Sequence, residues 1–519
     1  MQFSTLDFIV FFGYCLIILS IGIFVARRKG SDDAEGYFLA SKSLPWWAIG
    51  TSLIAANISA EQMIGMAGSG YAIGLAIASY EWMAALTLIL VAKYMLPIFI
   101  EKNIYSMPQF LGIRFDERVR AILAIFWLLV YVFVNLTSVL YLGALTMKTI
   151  LGFPLMYGII GLAVFSAIYT IYGGLKAVAW TDVVQVFFLV GGGLLTTWLA
   201  LNAFGKGNGA LAGFVDLLDK VPGHFEMILD KGHKFYYELP GISVLIGGLW
   251  IANISYWGIN QYIIQRALAA KSVAEAQKGL LFSGFLKLLM PLIVVIPGIA
   301  AFGFDVQLNR PDEAYPWLLS QFVPLGLRGL VFAALIAAIA SSVASMTNST
   351  ATIFTMDIYK VHFKPKASEH NLVFVGRLVG AVALLIAIIV APQVENFGQA
   401  FQFIQEFTGF VSPGIVAIFL LGLFWKRATS NAAVWGAIIT IPTGFLFKWL
   451  LPTFPFMDRM GIVFLIIVAI MVVISLIETK KDHPKAILIS TKLFFTETSF
   501  NIGSILISAI LAVLYILFW

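Results

Sequence analysis

The chain has 519 residues, of which 60% are hydrophobic and only 12% charged, with a mean hydropathy of +0.94. Soluble domains carry about a quarter charged residues, so this composition excludes them and describes a polytopic membrane protein. The net charge of +6 does not point to nucleic acid, because in such a chain the placement of Lys and Arg matters more than their sum.

Apolar runs near the spanning length of about 20 residues recur at 5–26, 45–70, 76–100, 119–149, 154–173, 179–204, 241–266, 279–304, 326–359, 372–391, 396–425, 431–452, 459–478 and 500–519. The pattern predicts an all-α protein of about fourteen transmembrane helices. The first run is no secretion signal, since the basic cluster Arg27-Arg28-Lys29 follows it rather than preceding it. With both termini outside, roughly 21 Lys and Arg fall on inner loops, Lys42 among them, against roughly eight on outer segments, as the positive-inside rule requires.

The second run is interrupted. Within Gly50 to Tyr71, Asn57, Ser59, Glu61 and Gln62 sit at mid-depth, followed by Gly65, Gly68 and Gly70. A charge at a helix centre costs roughly 2.5 to 3.5 kcal/mol, and freed backbone at that depth is tolerated only beside protein or a watery cavity. This reads as a broken helix lining a site. The third run carries Tyr80 and Glu81 near its outer part, and residues 103–119 read as an interfacial segment.

Segment 205–240 is the longest outer connection, with short helices expected at 214–218 and 225–229. The run at 241–266 then repeats the earlier interruption: Gly248 to Gln265 holds Asn253, Ser255, Asn260 and Gln261, and both stretches contain Ala-Asn-Ile-Ser. Two interrupted spans in corresponding chain halves are the sequence pointer to an inverted-repeat transporter with a midplane site.

Lys287 follows in a run with no charge nearby in sequence, so it calls for a carboxylate or a wet cavity. In 326–359, Ala338, Ser341, Ser342, Ser345, Ser349 and Thr352 share one helical face. Such faces usually serve close helix packing; the sharper reading is a site for a monovalent cation, with hydroxyls joined by carbonyls freed near Ala55 to Ile58. Gln399, Gln402, Gln405 and Glu406 form another polar face. Amides, a carboxylate, a lysine and rings such as Tyr256 or Trp257 suit a neutral polyhydroxylated ligand. All five histidines fall in predicted loops and Cys15 is the only cysteine, which argues against an intramembrane proton relay, a metalloenzyme and a disulfide.

The stretches SLPWWAIGTSLIAANISAEQMIGMAGSGY, GLAIASYEWM, VNLTSVLYLGALT, GGLWIANISYWGINQYIIQRALAAKSVAEAQKG, SSVASMTNSTATIFTMDIYK and LLGLFWKRATSNAAVWGA resemble the sodium/solute symporter family, most nearly its bacterial sodium/galactose cotransporters. The resemblance implies a five-plus-five inverted-repeat core of the amino-acid transporter type. Its parts would be an extra helix and inner loop in 1–44, repeat one in 45–204, the outer loop in 205–240, repeat two in 241–425, and three added helices in 426–519. It further implies sodium as co-substrate, held by Ala55, Ile58, Ala338, Ser341 and Ser342, with no organic cofactor. Sugar-binding groups would be Gln62, Glu81, Asn253, Lys287 and Gln405, with Asn57 nearby; Tyr256 would be the inner gate, and Met66, Tyr80 and Phe401 the outer one. Asp182 matches an aspartate on the sodium exit route.

Two positions depart from that pattern: Ala84 stands where a serine is expected and Ser255 where an aromatic is. The activity implied is sodium-coupled hexose uptake across a bacterial inner membrane, with no enzymatic step; a homodimer is one permitted assembly. The alternatives are a sodium symporter of another small solute, such as inositol, a vitamin or sialic acid, and a sugar sensor without net uptake.

Overall fold

The computed structural model describes residues 4–27, 43–59, 61–104, 106–396 and 400–519. The basic cluster at Arg28 and Lys29, Lys42 and Gln399 lie outside the described residues, as do side-chain details of Arg27. Every extended element described is helical: α1 (Thr5–Arg27), α2 (Trp46–Asn57), α3 (Ala67–Ala72), α4 (Leu75–Glu101), α5 (Glu117–Leu151), α6 (Leu155–Phe204), α7 (Gly248–Ile254), α8 (Gln261–Leu268), α9 (Val273–Gly303), α10 (Leu327–Phe363), α11 (Glu369–Glu395), α12 (Ala400–Gly409), α13 (Ser412–Phe424), α14 (Ser430–Leu450), α15 (Phe456–Glu478) and α16 (Thr498–Leu517). Among the described residues nine of these are long and apolar enough to cross a membrane, and the pair α12 and α13, bent by 48°, makes a tenth. This is an integral membrane protein.

Both interruptions expected from the sequence are present. The α2 ladder stops where Ile58 N donates to Ile54 O and Ser59 N turns back on Asn57 O, and the chain resumes as a π-helical turn, Glu61–Met66. The second span breaks at Asn260, which is extended (φ −70°, ψ 122°) between the π-helical turn Ser255–Ile259 and α8. Tyr131 holds this break closed: its hydroxyl donates to Asn260 Oδ1 and accepts from Gln261 N at 2.8 Å.

The helix α10 lies at the centre, buried almost throughout and packed on α1, α6 and α11. Its start is anchored by Asp7, whose Oδ1 accepts from Gly326 N (2.8 Å) and Gly329 N (3.0 Å), a carboxylate placed where the helix dipole favours it. The helix α9 packs on α2, α3 and α4. Its contact with α3 depends on two glycines: an added Cβ would meet Val295 O at 2.6 Å from Gly70 and would run into Ala67 O from Gly298.

Helix α6 is continuous for 50 residues, a rise of about 75 Å and more than twice a 30 Å hydrocarbon layer, so it has the length for both apolar runs expected at 154–173 and 179–204. The sequence reading of segment 205–240 differs from the structure. The outer connection forms one helix, Ala210–Lys220, and a single turn, Pro222–Phe225, with no helix at 226–229. Within 103–119 the helix Met107–Arg114 is largely buried against the protein. Arg114 Nε donates to Gly422 O (2.8 Å) and its Nη2 to Trp425 O (3.0 Å) and Ala428 O (3.1 Å), so a guanidinium caps the end of α13 and its charge is met by helix C-terminal carbonyls.

Candidate functional site

A cavity of about 90 Å³ opens between the two interrupted spans, room for several of the roughly 10–15 Å³ volumes that one water occupies. Three π-helical turns face it: Glu61–Met66 supplies Glu61 and Gln62, Tyr131–Leu136 supplies Tyr131 and Asn135, and Ser255–Ile259 supplies Ser255, Tyr256 and Trp257. A π-turn inserts a residue into the helical ladder and re-aims the side chains beside it, which is why such turns gather at sites.

The polar groups form one chain of contacts. Lys287, on α9, donates through Nζ to Glu81 Oε2 on α4 and to Asn57 Oδ1 at the end of α2. Asn57 Nδ2 in turn donates to Tyr256 OH at 3.2 Å. The Lys287 ammonium also lies 4.8 Å from the centre of the Trp257 ring, a cation–π position. Lys287 and Glu81 are both buried, so each depends on the other. Among the described residues Gln62 Oε1, Asn253 Nδ2 and Tyr80 OH are buried without a partner, free to take a ligand's hydroxyls. Gln405 lines the same cavity.

Of the residues expected to act as gates, Tyr80 and Phe401 line the cavity and touch edge to face, 5.2 Å between centroids. Tyr256 lines it from the second span. Met66 is fully buried on the first π-turn and is not among the lining side chains.

The residues expected to hold the cation fall on the α2 break and on α10. Ser342 Oγ lies 3.4 Å from Ala56 O, to which it donates. Ser341, one residue earlier, points elsewhere: its hydroxyl donates to Asp182 Oδ1 on α6. Ala55 and Ile58 sit at the break and Ala338 one turn before Ser342, all buried. Asp182 is itself engaged, its Oδ2 accepting from Ser52 Oγ (2.7 Å) and Arg266 Nη2 (3.0 Å). Arg266 Nη2 also donates to Ser345 Oγ at 2.6 Å. This second buried network ties α2, α6, α8 and α10 together away from the Lys287 group.

Tyr131, Asn135, Asn260 and Thr408 also line the cavity and were not assigned from sequence. Asn135 had a signal, a lone amide deep in the apolar run 119–149. Tyr131 and Thr408 had none, since both residue types are common in membrane helices.

The family model for the Sodium:solute symporter family matches residues 37–440. The chain belongs to that family. The symporter is 57% identical to a sodium/glucose cotransporter of Vibrio parahaemolyticus over 99% of its own length and 98% of the relative's. It is 34% identical to the human sodium/myo-inositol cotransporter 2 over 83% of its own length and 68% of that protein's. In fold it is similar to a Na+-coupled sialic acid symporter solved in a substrate-bound, outward-open state, with a TM-score of 0.81 at 24% identity over 92% of this chain and 98% of the other. The symporter is a carrier, and its family is one of transporters, not enzymes.

Proposed function

We propose that this protein takes up a hexose of the galactose or glucose class together with sodium, by alternating access. The observation that carries the reading is the chain Glu81, Lys287, Asn57 and Tyr256, which joins both interrupted spans across the cavity. Lys287 is already neutralised by Glu81, so it offers no free cation to an anionic solute, while the unpartnered Gln62, Asn253 and Tyr80 suit neutral hydroxyls. The name carried by the Vibrio relative agrees with this class.

In this reading Gln62, Glu81, Asn253, Lys287, Gln405 and Asn57 bind the sugar, Tyr256 closes the inner side, and Met66, Tyr80 and Phe401 close the outer one. Sodium occupies Ala55, Ile58, Ala338, Ser341 and Ser342, which joins α2 to α10 and favours the outward state, and Asp182 lies on its way out. Ala84 and Ser255 tune which hexose is preferred. Adding the two shorter apolar helices and the two interrupted spans to the ten spans supports fourteen in all, arranged as two five-helix repeats, 45–204 and 241–425, with both termini outside a bacterial inner membrane. For one sodium per sugar, 100 mV supplies about 2.3 kcal/mol and a tenfold sodium gradient about 1.4 kcal/mol more, enough for accumulation of roughly several hundredfold.

The test is uptake of labelled galactose into proteoliposomes with and without an inward sodium gradient, against a panel of competitors. Sodium-driven uptake blocked by galactose or glucose is the expected result. The second reading, a neutral polyol such as myo-inositol, draws on the human relative's name, and competition by inositol where hexoses fail would establish it. Binding without net uptake would make the protein a sensor.

A further inference from the structure

Lys287 compensates Glu81, but the cavity holds a second carboxylate. Glu61 is buried at the start of the first π-turn and lines the cavity, and among the described residues it forms no ion pair. Asn135, from the π-turn of α5, lines the same cavity, and among the described residues Glu61 Oε1 and Asn135 Oδ1 are both buried without a hydrogen-bond partner. Tyr256 lines the same cavity as Glu61 and Glu81.

Two unmet buried acceptors in one cavity are costly unless a donor meets them. The unmet groups of the whole cavity lean the same way: Glu61 Oε1, Asn135 Oδ1 and Gln62 Oε1 accept, Asn253 Nδ2 donates, and Tyr80 OH does either. A ligand that satisfies this set brings more O–H donors than acceptors and no negative charge.

We propose that Glu61 and Asn135 form a second hydroxyl-binding subsite of the cavity, which takes O–H donors of a neutral polyol and sets which hydroxyl pattern is accepted. The proposal rests on the sugar-symport reading above and extends it to a part of the cavity that reading leaves unused. The carboxylate supplies the strong acceptor, and Asn135 Oδ1 offers a second one in the same cavity.

The experiment measures binding and sodium-driven uptake of galactose and glucose by the purified full chain, with a set of their monodeoxy analogues as competitors, in wild type and in Glu61→Gln and Asn135→Ala. One deoxy position is expected to weaken competition about tenfold or more in wild type, the size of a lost hydrogen bond to a charged group. That penalty is expected to shrink to within about twofold in Glu61→Gln, with penalties at other positions unchanged. Should Glu61→Gln fail to insert, Asn135→Ala is read for the same shrinking penalty. Equal penalties at every position in wild type and variants would overturn the subsite, as would a shift in sodium half-saturation with the deoxy penalties unmoved, which makes Glu61 a cation ligand. Failure of all hexoses and polyols to compete in wild type would instead overturn the sugar reading, and is separated from the rest by needing no variant.

Discussion

Lys287 and Glu81, 206 residues apart in the chain, form an ion pair from which water is almost wholly excluded. Among the described residues neither charge has another buried partner of opposite sign, so removing one strands the other. Lys287→Ala or Glu81→Ala is expected to destabilise the protein by about 3–5 kcal/mol. Replacing both together, with Met at 287 and Gln at 81, should cost less than either single change, because no charge is then left alone. Thermal unfolding in detergent checks this; a double variant as damaged as the sum of the singles would show that the two residues act independently. Sugar binding should be lost in all three.

Ser342 and Ser341 are neighbours on α10 with different partners, Ala56 O for the first and Asp182 for the second. If the sodium reading holds, Ser342→Ala removes one neutral oxygen next to the α2 break and should raise the sodium half-saturation of uptake roughly two- to tenfold, the worth of one hydrogen-bond-sized contact. Maximal uptake at high sodium should be retained. Ser341→Ala should act differently, loosening the Asp182 and Arg266 network as well as sodium binding. Identical sodium curves for wild type and Ser342→Ala would place the ion elsewhere.

The inner side offers a third test. Tyr256 OH accepts from Asn57 Nδ2 at 3.2 Å, so Tyr256→Phe keeps the ring and deletes one bond worth about 0.5–1.5 kcal/mol. Efflux of preloaded sugar in the absence of sodium should rise roughly two- to tenfold, while competition by sugars added outside changes little. Unaltered efflux would remove the bond from the gate.

Much of this site was legible because polar groups in hydrocarbon are expensive. Asn57, Gln62, Asn253 and Lys287 stood out against apolar neighbours, and the breaks at Ile58 and Asn260 fall inside stretches that Gly and polar residues already marked. The pairing of Lys287 with Glu81 was not legible, since nothing in either run says which helix faces which. Tyr131 at the second break escaped because a tyrosine in a membrane helix is unremarkable until its hydroxyl is seen bridging Asn260 and Gln261. The partners of Arg114 were not legible either, since nothing in 103–119 says that its charge is met by the carbonyls that end α13.

The helices α3 and α9 approach closely at Gly70 and Gly298. An extra methyl at Gly298 meets Ala67 O, which is backbone and cannot rotate away. Gly298→Ala should therefore cost about 1–3 kcal/mol and slow uptake, whereas Gly191→Ala, where an added Cβ meets nothing within 4 Å, should be neutral. Thermal midpoints and initial uptake rates of the two variants decide it; equal behaviour would mean that α3 and α9 part easily.

Asp312 lies outside the spans, in the turn Pro311–Glu313, and is buried. Its Oδ2 accepts from Ala400 N at 3.3 Å, and an added Cβ at Gly68 would meet its Oδ1 at 2.7 Å, so this carboxyl joins α3 to the start of α12. Burial pushes it from an ordinary 3.8 up to about 7, opposed by the Ala400 amide and Arg310 and reinforced by Glu313. The packed turn thus holds the proton more tightly than the unfolded chain does. The stability this contributes is fully present below about pH 4 and is lost as pH rises through about 7. The thermal midpoint of the wild type should fall across that window, and Asp312→Asn, which cannot ionise, should flatten that component and raise the midpoint above pH 7. Parallel pH profiles for the two proteins would mean that the carboxyl ionises freely while packed between Gly68 and Ala400.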